Sequence, residues 1–228
     1  MVSITDDIAG ANARVTRRMR RALISGIEAS RSWQVLAAVI LVLLVAPVGV
    51  VALGSALGVL RLPFEMHVLA GEIPVLFRVH MAASAVALLL APVVILVRRR
   101  PDTHRMLGRV LGAFVVAGGL TALPVAIFSH SGGMARAGFF MQGLTWLALF
   151  ALGWAAIRNR QRSRHRTMML AMTAVTTGAV WFRIVIGSAI WAKLPFEATY
   201  AAAAWLAWMI PLTLALYYRK TLARAVKF

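Results

Sequence analysis

The sequence predicts an all-α polytopic transmembrane helix bundle of about six spans with both termini cytoplasmic, and three observations predict it. Of the 228 residues, 61% are hydrophobic and the mean hydropathy is +0.80, whereas a soluble domain holds about 45–50% apolar residues. The apolar residues come in runs of roughly 20, the length a helix needs to cross the hydrocarbon core. The charge, 25 Lys+Arg against 7 Asp+Glu for a formal +18, is confined to short segments between those runs, which is how membrane topology is written into a chain.

The elements follow in order. Residues 1–32 form a basic cytoplasmic segment, residues 33–218 the six-span domain, and residues 219–228 a basic cytoplasmic tail. The spans are expected at Trp33–Leu57, Leu76–Val97, Leu107–Phe128, Gly138–Ile157, Thr167–Trp191 and Tyr200–Tyr218. The first apolar run exceeds the 7–15 residues of a signal-peptide core and follows about 30 residues of chain, so it reads as a span. The N-terminal segment reads either as a helix lying on anionic lipid or as unstructured chain. Around Pro63–Pro74 a short apolar piece lies in, on or outside the membrane. Orientation follows from the basic residues. Arg14, Arg17, Arg18, Arg20, Arg21 and Arg31, then Arg98–Arg100, Arg105 and Arg109, then Arg158, Arg160, Arg162, Arg164 and Arg166, then Arg219, Lys220, Arg224 and Lys227 all fall on one side of six alternating spans. That is 20 of the 25, and the positive-inside rule makes that side cytoplasmic.

Several chemistries are excluded or disfavoured. With no cysteine, disulfides, thiolate zinc sites, iron–sulfur clusters and c-type haem attachment are out. No segment has nucleic-acid geometry, and no Ser–His–acid set or carboxylate pair suggests hydrolysis. An internal echo, "RLPFEM" at 61–66 and "KLPFEA" at 193–198, reads as a reused helix-exit turn on the outer side.

The histidines carry the chemistry that remains. His104 in "HRMLGR" and His165 in "RHRTMM" stand at the first turns of the third and fifth spans, each beside arginines. Topology needs only Arg and Lys. A histidine adds a nitrogen lone pair and an exchangeable proton. His80 opens the second span beside Arg78, His130 lies at the outer boundary, and His67 falls in an outer loop as a solvated residue. On a continuous helix His165 and Arg183, 18 apart, share a face with Met169, Met172, Thr176 and Val180. Arg183, an ionisable residue inside a span, is expected to face the bundle interior and pair with Glu72, Glu197 or a bound anion. Below His104 runs a face of Gly108, Gly112, Val115, Gly119 and Ala122, and below His80 a face of Ser84, Ala87 and Ala91. Such faces allow close helix packing or leave room for a flat ligand. Three readings of His104 and His165 stay open: interfacial groups bonding a carbonyl or phosphate, axial ligands of a b-type haem with Arg105, Arg109 and Arg166 on its acidic groups, or donors to a quinone.

The segments "FRVHMAASAVALLLAP", "THRMLGR", "RHRTMML" and "WFRIVIG", over about residues 76 to 190, together resemble a bacterial domain-of-unknown-function family of predicted multi-span membrane proteins with paired His-Arg motifs. Thr167 stands where that family also accepts an aromatic residue. The resemblance implies a membrane location and no reaction, and it points to His80, His104, Arg105, Gly108, Arg109, His165, Arg166 and Arg183. The expected function is that of an integral protein of the bacterial inner membrane, redox or redox-accessory, binding b-type haem or quinone between helices. The alternatives are a small permease with an intramembrane Arg anion site, or an assembly or scaffold subunit whose histidines are structural. Expected partners are the bilayer, anionic lipid at the cytoplasmic face and a respiratory or other membrane protein, with no nucleic acid. No metal site of protein ligands is expected, and whether the protein is an enzyme stays open, leaning to no.

Overall fold

A computed structural model describes residues 42–62 and 64–219. The basic N-terminal segment, the opening of the first expected span at Trp33, and the tail beyond Arg219 lie outside the described residues. Within them every regular element is helical: α1 (Val42–Ala56), α2 (Phe64–Glu72), α3 (Pro74–Leu96), α4 (Pro101–Phe128), α5 (Gly133–Arg158), α6 (Arg162–Thr176), α7 (Gly178–Trp191) and α8 (Phe196–Tyr217), with a 3-10 turn at Val97–Arg99. Five of the resulting spans are long and apolar enough to cross a membrane, the α6–α7 pair counting as one, and α1 is a shorter apolar helix. The all-α, multi-span expectation therefore holds.

Local chemistry sets the helix starts. Pro74 and Pro101 stand at the first positions of α3 and α4, where a missing N–H costs nothing and φ is already helical. Arg100, held extended by the proline that follows it (φ −104, ψ 95), ends the preceding turn. Both helices begin several residues before the apolar runs do, so Asp102, His104, Arg105 and Arg109 are helical rather than loop residues.

Three helices end through the same paired hydrogen bonds. After α1, Val59 N–H donates to Gly54 O (2.9 Å) and Gly58 N–H to Ser55 O (3.2 Å). After α5, Gln161 and Arg160 donate to Ala156 (2.8 Å) and Ile157 (3.1 Å). After α7, Leu194 and Lys193 donate to Ala189 (2.9 Å) and Ile190 (3.1 Å). This closure needs a left-handed residue, supplied by Gly58 (φ 75) in α1 but by Arg160 (φ 59) and Lys193 (φ 54) in the others. The LPFE echo is therefore not a common exit, since α1 leaves through Gly58 and α7 through Lys193. What the two copies share is an entry: α2 opens at Phe64 and α8 at Phe196.

The core of the bundle is a ring of four helices. α3 packs on α4, α4 on α5, α5 on α6, and α6 returns lightly to α3, while α8 packs across α5, α6 and α7. Its interior is filled by Ala87, Ala91, Leu111, Val115, Trp146, Met172, Val175 and Trp208, among others. Val115, Met172 and Val175 are fully buried. From Val45 onward α1 lies against Leu88 and Val180.

The fifth expected span is not one helix. It breaks at Thr177, whose hydroxyl donates to Ala174 O (2.7 Å) and whose carbonyl accepts from both Val180 (2.9 Å) and Trp181 (3.2 Å). The hydroxyl competes with the helical ladder for a carbonyl, which is how Thr bends membrane helices. Met172, Thr176 and Val180 are buried as the stripe requires, but Arg183 beyond the break is exposed. The shared face counted from His165 therefore ends at Val180.

An L-residue in the left-handed region is strained by about 1–2 kcal/mol, partly offset by glycine's greater freedom when unfolded. Arg160→Gly and Lys193→Gly should each stabilise the protein by roughly 0.5–1 kcal/mol, and Gly58→Ala should destabilise it. Thermal unfolding of the three variants in detergent checks the signs.

Candidate functional site

The polar groups of the bundle fall into three layers. The first lies at the end where the loops Val97–Arg100 and Asn159–Gln161 gather the arginines. There His104 is the fourth residue of α4 and His165 the fourth residue of α6. Each is half-buried, each backbone N–H closes the first turn onto the residue before its helix, Arg100 (2.8 Å) or Gln161 (3.0 Å), and each ring reaches back across a tight hairpin. His104 Nδ1 lies 3.0 Å from Val94 O of α3, and His165 Nδ1 lies 2.9 Å from Gly153 O of α5. The two His-Arg segments therefore use one device twice, a histidine at the fourth helical position bonding back to the preceding helix, ten residues back in the first hairpin and twelve in the second.

A carbonyl oxygen only accepts, so Nδ1 carries the proton in both rings. Nε2 is then the nitrogen whose lone pair is left in the neutral ring, and no hydrogen bond to it occurs among the described residues. His80 in the second layer is bonded in the same way, its Nδ1 donating to Gly118 O of α4 (2.9 Å). The α3–α4 hairpin is thus pinned reciprocally, α3 donating to α4 near the middle and α4 donating to α3 at the basic end.

The second layer sits at mid-span and sequence reasoning largely missed it. Trp146, halfway along α5, donates its indole N–H to Thr176 Oγ1 (2.8 Å), and that hydroxyl donates to Met172 O (2.9 Å). Gln142 Nε2 stands 3.4 Å from Val175 O, one residue before Thr176. Glycines let these groups approach. A Cβ at Gly178 would stand 2.7 Å from Gln142 Nε2, and one at Gly118 would stand 2.9 Å from Ser84 Oγ and 3.2 Å from the Trp146 ring. A lone Gln and a Thr within apolar runs were the available signals; Trp146 carried none.

The third layer is the opposite end. His130 Nε2 lies 3.0 Å from both Glu72 oxygens and ties the α4–α5 loop to the end of α2. Phe139, Phe182, Phe196 and Tyr200 form an aromatic cluster joining α5, α7 and α8, with centroids 5.1–5.9 Å apart. Arg183 lies beside this cluster on the exposed side of α7, its guanidinium donating to Ala179 O of its own helix (2.8 Å). The expectation that it faces the bundle interior is not met, nor does it pair with Glu72, which holds His130.

The other site expectations divide. Arg105 is exposed, its guanidinium 3.9 Å from the Asp102 carboxylate, a contact of little energetic weight in water. Arg109 is exposed and Arg166 half-buried. The glycine face below His104 packs on the wrong helix for the role expected of it. A Cβ at Gly112 would meet Phe150 at 2.6 Å and one at Gly119 would meet Leu147 at 2.6 Å, both on α5 rather than α6, while the space beside Gly108 is open. His104 and His165 belong to α4 and α6, which alternate with α3 and α5 in the ring and do not pack on one another as those neighbours do.

No curated protein and no solved structure matches the chain. A family model described as predicted membrane protein DUF2306 matches residues 77–219, which takes in α3 to α8 with His80, both hairpins and the Trp146–Thr176 layer. The chain belongs to this family of predicted membrane proteins.

Proposed function

We propose that this is a redox or redox-accessory protein of the bacterial inner membrane that holds a b-type haem at the basic end of the ring, with His104 and His165 as its axial ligands. The observation that supports it is the bonding of the two rings. A ligating histidine donates its other N–H to a carbonyl or carboxylate, which fixes the tautomer and makes the ligating nitrogen more basic, and both rings do this. α4 and α6 do not pack on one another as neighbours in the ring do, so a group held by both histidines would lie between those two helices at the basic end. Haem held there would supply one-electron chemistry. His104 and His165 would hold it, and Arg105, Arg109 and Arg166, at the same end, would meet its carboxylates.

An oxidised quinone would ask the opposite of these rings, because its oxygens accept and a neutral ring already donating through Nδ1 has no proton at Nε2; only the hydroxyls of the reduced quinol could bond there. A purely structural role has its own support, the repetition of the hairpin bond from the fourth position of both helices, and then the protein would be an assembly or scaffold subunit. The arginine count makes the basic end cytoplasmic and both termini cytoplasmic.

Protein purified from haem-supplied cells should show a Soret band and, after dithionite, the split absorbance of a six-coordinate b-type centre. His104→Ala and His165→Ala should each remove it, and His80→Ala should leave it. A colourless protein, or full haem content in both variants, overturns the haem reading; a fall in unfolding midpoint without any loss of colour assigns the histidines to structure alone.

Reporter fusions test orientation separately. A fusion after Gly133 should report the periplasm and one after Arg162 the cytoplasm. The same side for both would overturn the topology.

A further inference from the structure

At the basic end, between the start of α6 and the end of α8, the surface opens into a cavity of about 620 Å³. Its polar rim is Arg162, Arg164 and Arg219, with Ser163 and Thr167 between them, and its floor is Met168 and Leu216. All three arginines are exposed, and among the described residues no carboxylate lines the cavity. The one acid that the described residues hold at this end, Asp102, is already beside Arg105. Three arginines from two helices therefore line one space, and the planar fork of Arg suits phosphate oxygens.

The vertical order of the lining says which phosphate. Met168 lies one helical turn deeper than Arg164, and Leu216 about one turn deeper than Arg219, so the apolar floor starts roughly 5–6 Å toward the membrane from the charged rim. Charge outside and hydrocarbon one turn in is the order in which a phospholipid presents its headgroup and chains. A free phosphate would use the rim and leave the floor idle. We propose that this cavity binds the phosphate of an anionic phospholipid of the surrounding leaflet, Arg162, Arg164 and Arg219 holding the headgroup and one acyl chain lying over Met168 and Leu216. The site is distinct from the haem site and does not depend on it.

Native mass spectrometry of the full-length protein in detergent, titrated with dioleoyl phosphatidylglycerol or dioleoyl phosphatidylcholine, tests the proposal. One phosphatidylglycerol should bind at a concentration about tenfold or more below that needed for phosphatidylcholine. Losing two charged hydrogen-bond donors in Arg164→Gln/Arg219→Gln should raise the half-saturating concentration of phosphatidylglycerol by about tenfold or more. The pair Arg100→Gln/Arg158→Gln, which removes the same charge at the same end outside the cavity, should change it by less than about twofold, and this separates a site from general attraction of a basic face. Equal binding of the two lipids overturns the proposal, as does an equal loss in both double variants. Displacement of phosphatidylglycerol by millimolar inorganic phosphate overturns it too, because the cavity would then be a site for soluble phosphate.

Discussion

A helical carbonyl has two lone pairs and the helix uses one. Away from water the second is left without a partner, and three histidines of this bundle supply one, His80 within the span and His104 and His165 at its basic boundary. His80, His104 and His165 each donate from Nδ1 to a carbonyl of the antiparallel neighbour. A bond of this kind between membrane helices contributes about 0.6 kcal/mol and at most roughly 1–2, too little to hold a bundle together. What it does is set register, because a ring that must meet one carbonyl at 3 Å permits no sliding of one helix along the other. With α3 fixed on α4 and α6 on α5, the apolar faces that make the core of Leu111, Val115, Met172 and Val175 come to the same level, and van der Waals packing supplies the rest.

The middle layer depends on that registration. Trp146 can reach Thr176 only if α5 and α6 are held at one height, and His165 to Gly153 is the bond that holds them, about seven residues away along α5. Thr176 precedes the break at Thr177, and beside it Gln142 Nε2 reaches the terminal carbonyl of Val175 while the indole N–H goes to the Thr176 hydroxyl, at the depth where an unpaired group would cost most. The break then frees α7 from the phase of α6. Val180 stays in the core, whereas Arg183 is carried out to the exposed side, where its own backbone satisfies one of its donors. Its guanidinium reaches back one turn along α7 rather than into the bundle interior.

How far the sequence could be read follows from which patterns are one-dimensional. The helical class and most helix limits depend on local runs of apolar residues and on Pro74 and Pro101, and they were legible to within about six residues; of the six expected spans, five are long and apolar enough among the described residues and α1 is shorter. The reach of His104 and His165 was not, because the ring meets a carbonyl, and every residue has one; nothing in "VVILV" marks Val94 as the acceptor. The single-helix reading of the fifth span failed for a similar reason. A threonine inside an apolar run is ordinary in membrane helices, and whether its hydroxyl bends the ladder depends on the neighbours, here Gln142 and Trp208 pressing on Gly178. The glycines of α4 announced a close approach without naming the helix that makes it, and α5, the sequential neighbour, was the one.

Carbonyl bonding alone does not explain why histidine was chosen at these places. Thr173, Thr176 and Thr177 show that a hydroxyl meets a carbonyl equally well, but each of these bonds stays within its own helix, since the side chain is short. Crossing to a neighbour needs a longer donor, and Gln142 is one, so length does not select histidine either. The property that Ser, Thr and Gln lack is a second nitrogen that becomes a pure lone-pair donor once the first is committed. His130, at the other end, spends its Nε2 on Glu72. The three histidines bonded through Nδ1 keep that nitrogen, and two of them stand in the first turns of helices at the basic end. A structural staple accounts for the bonds; the retained lone pairs are what a staple leaves over, and a ligand that takes lone pairs is the chemistry they fit.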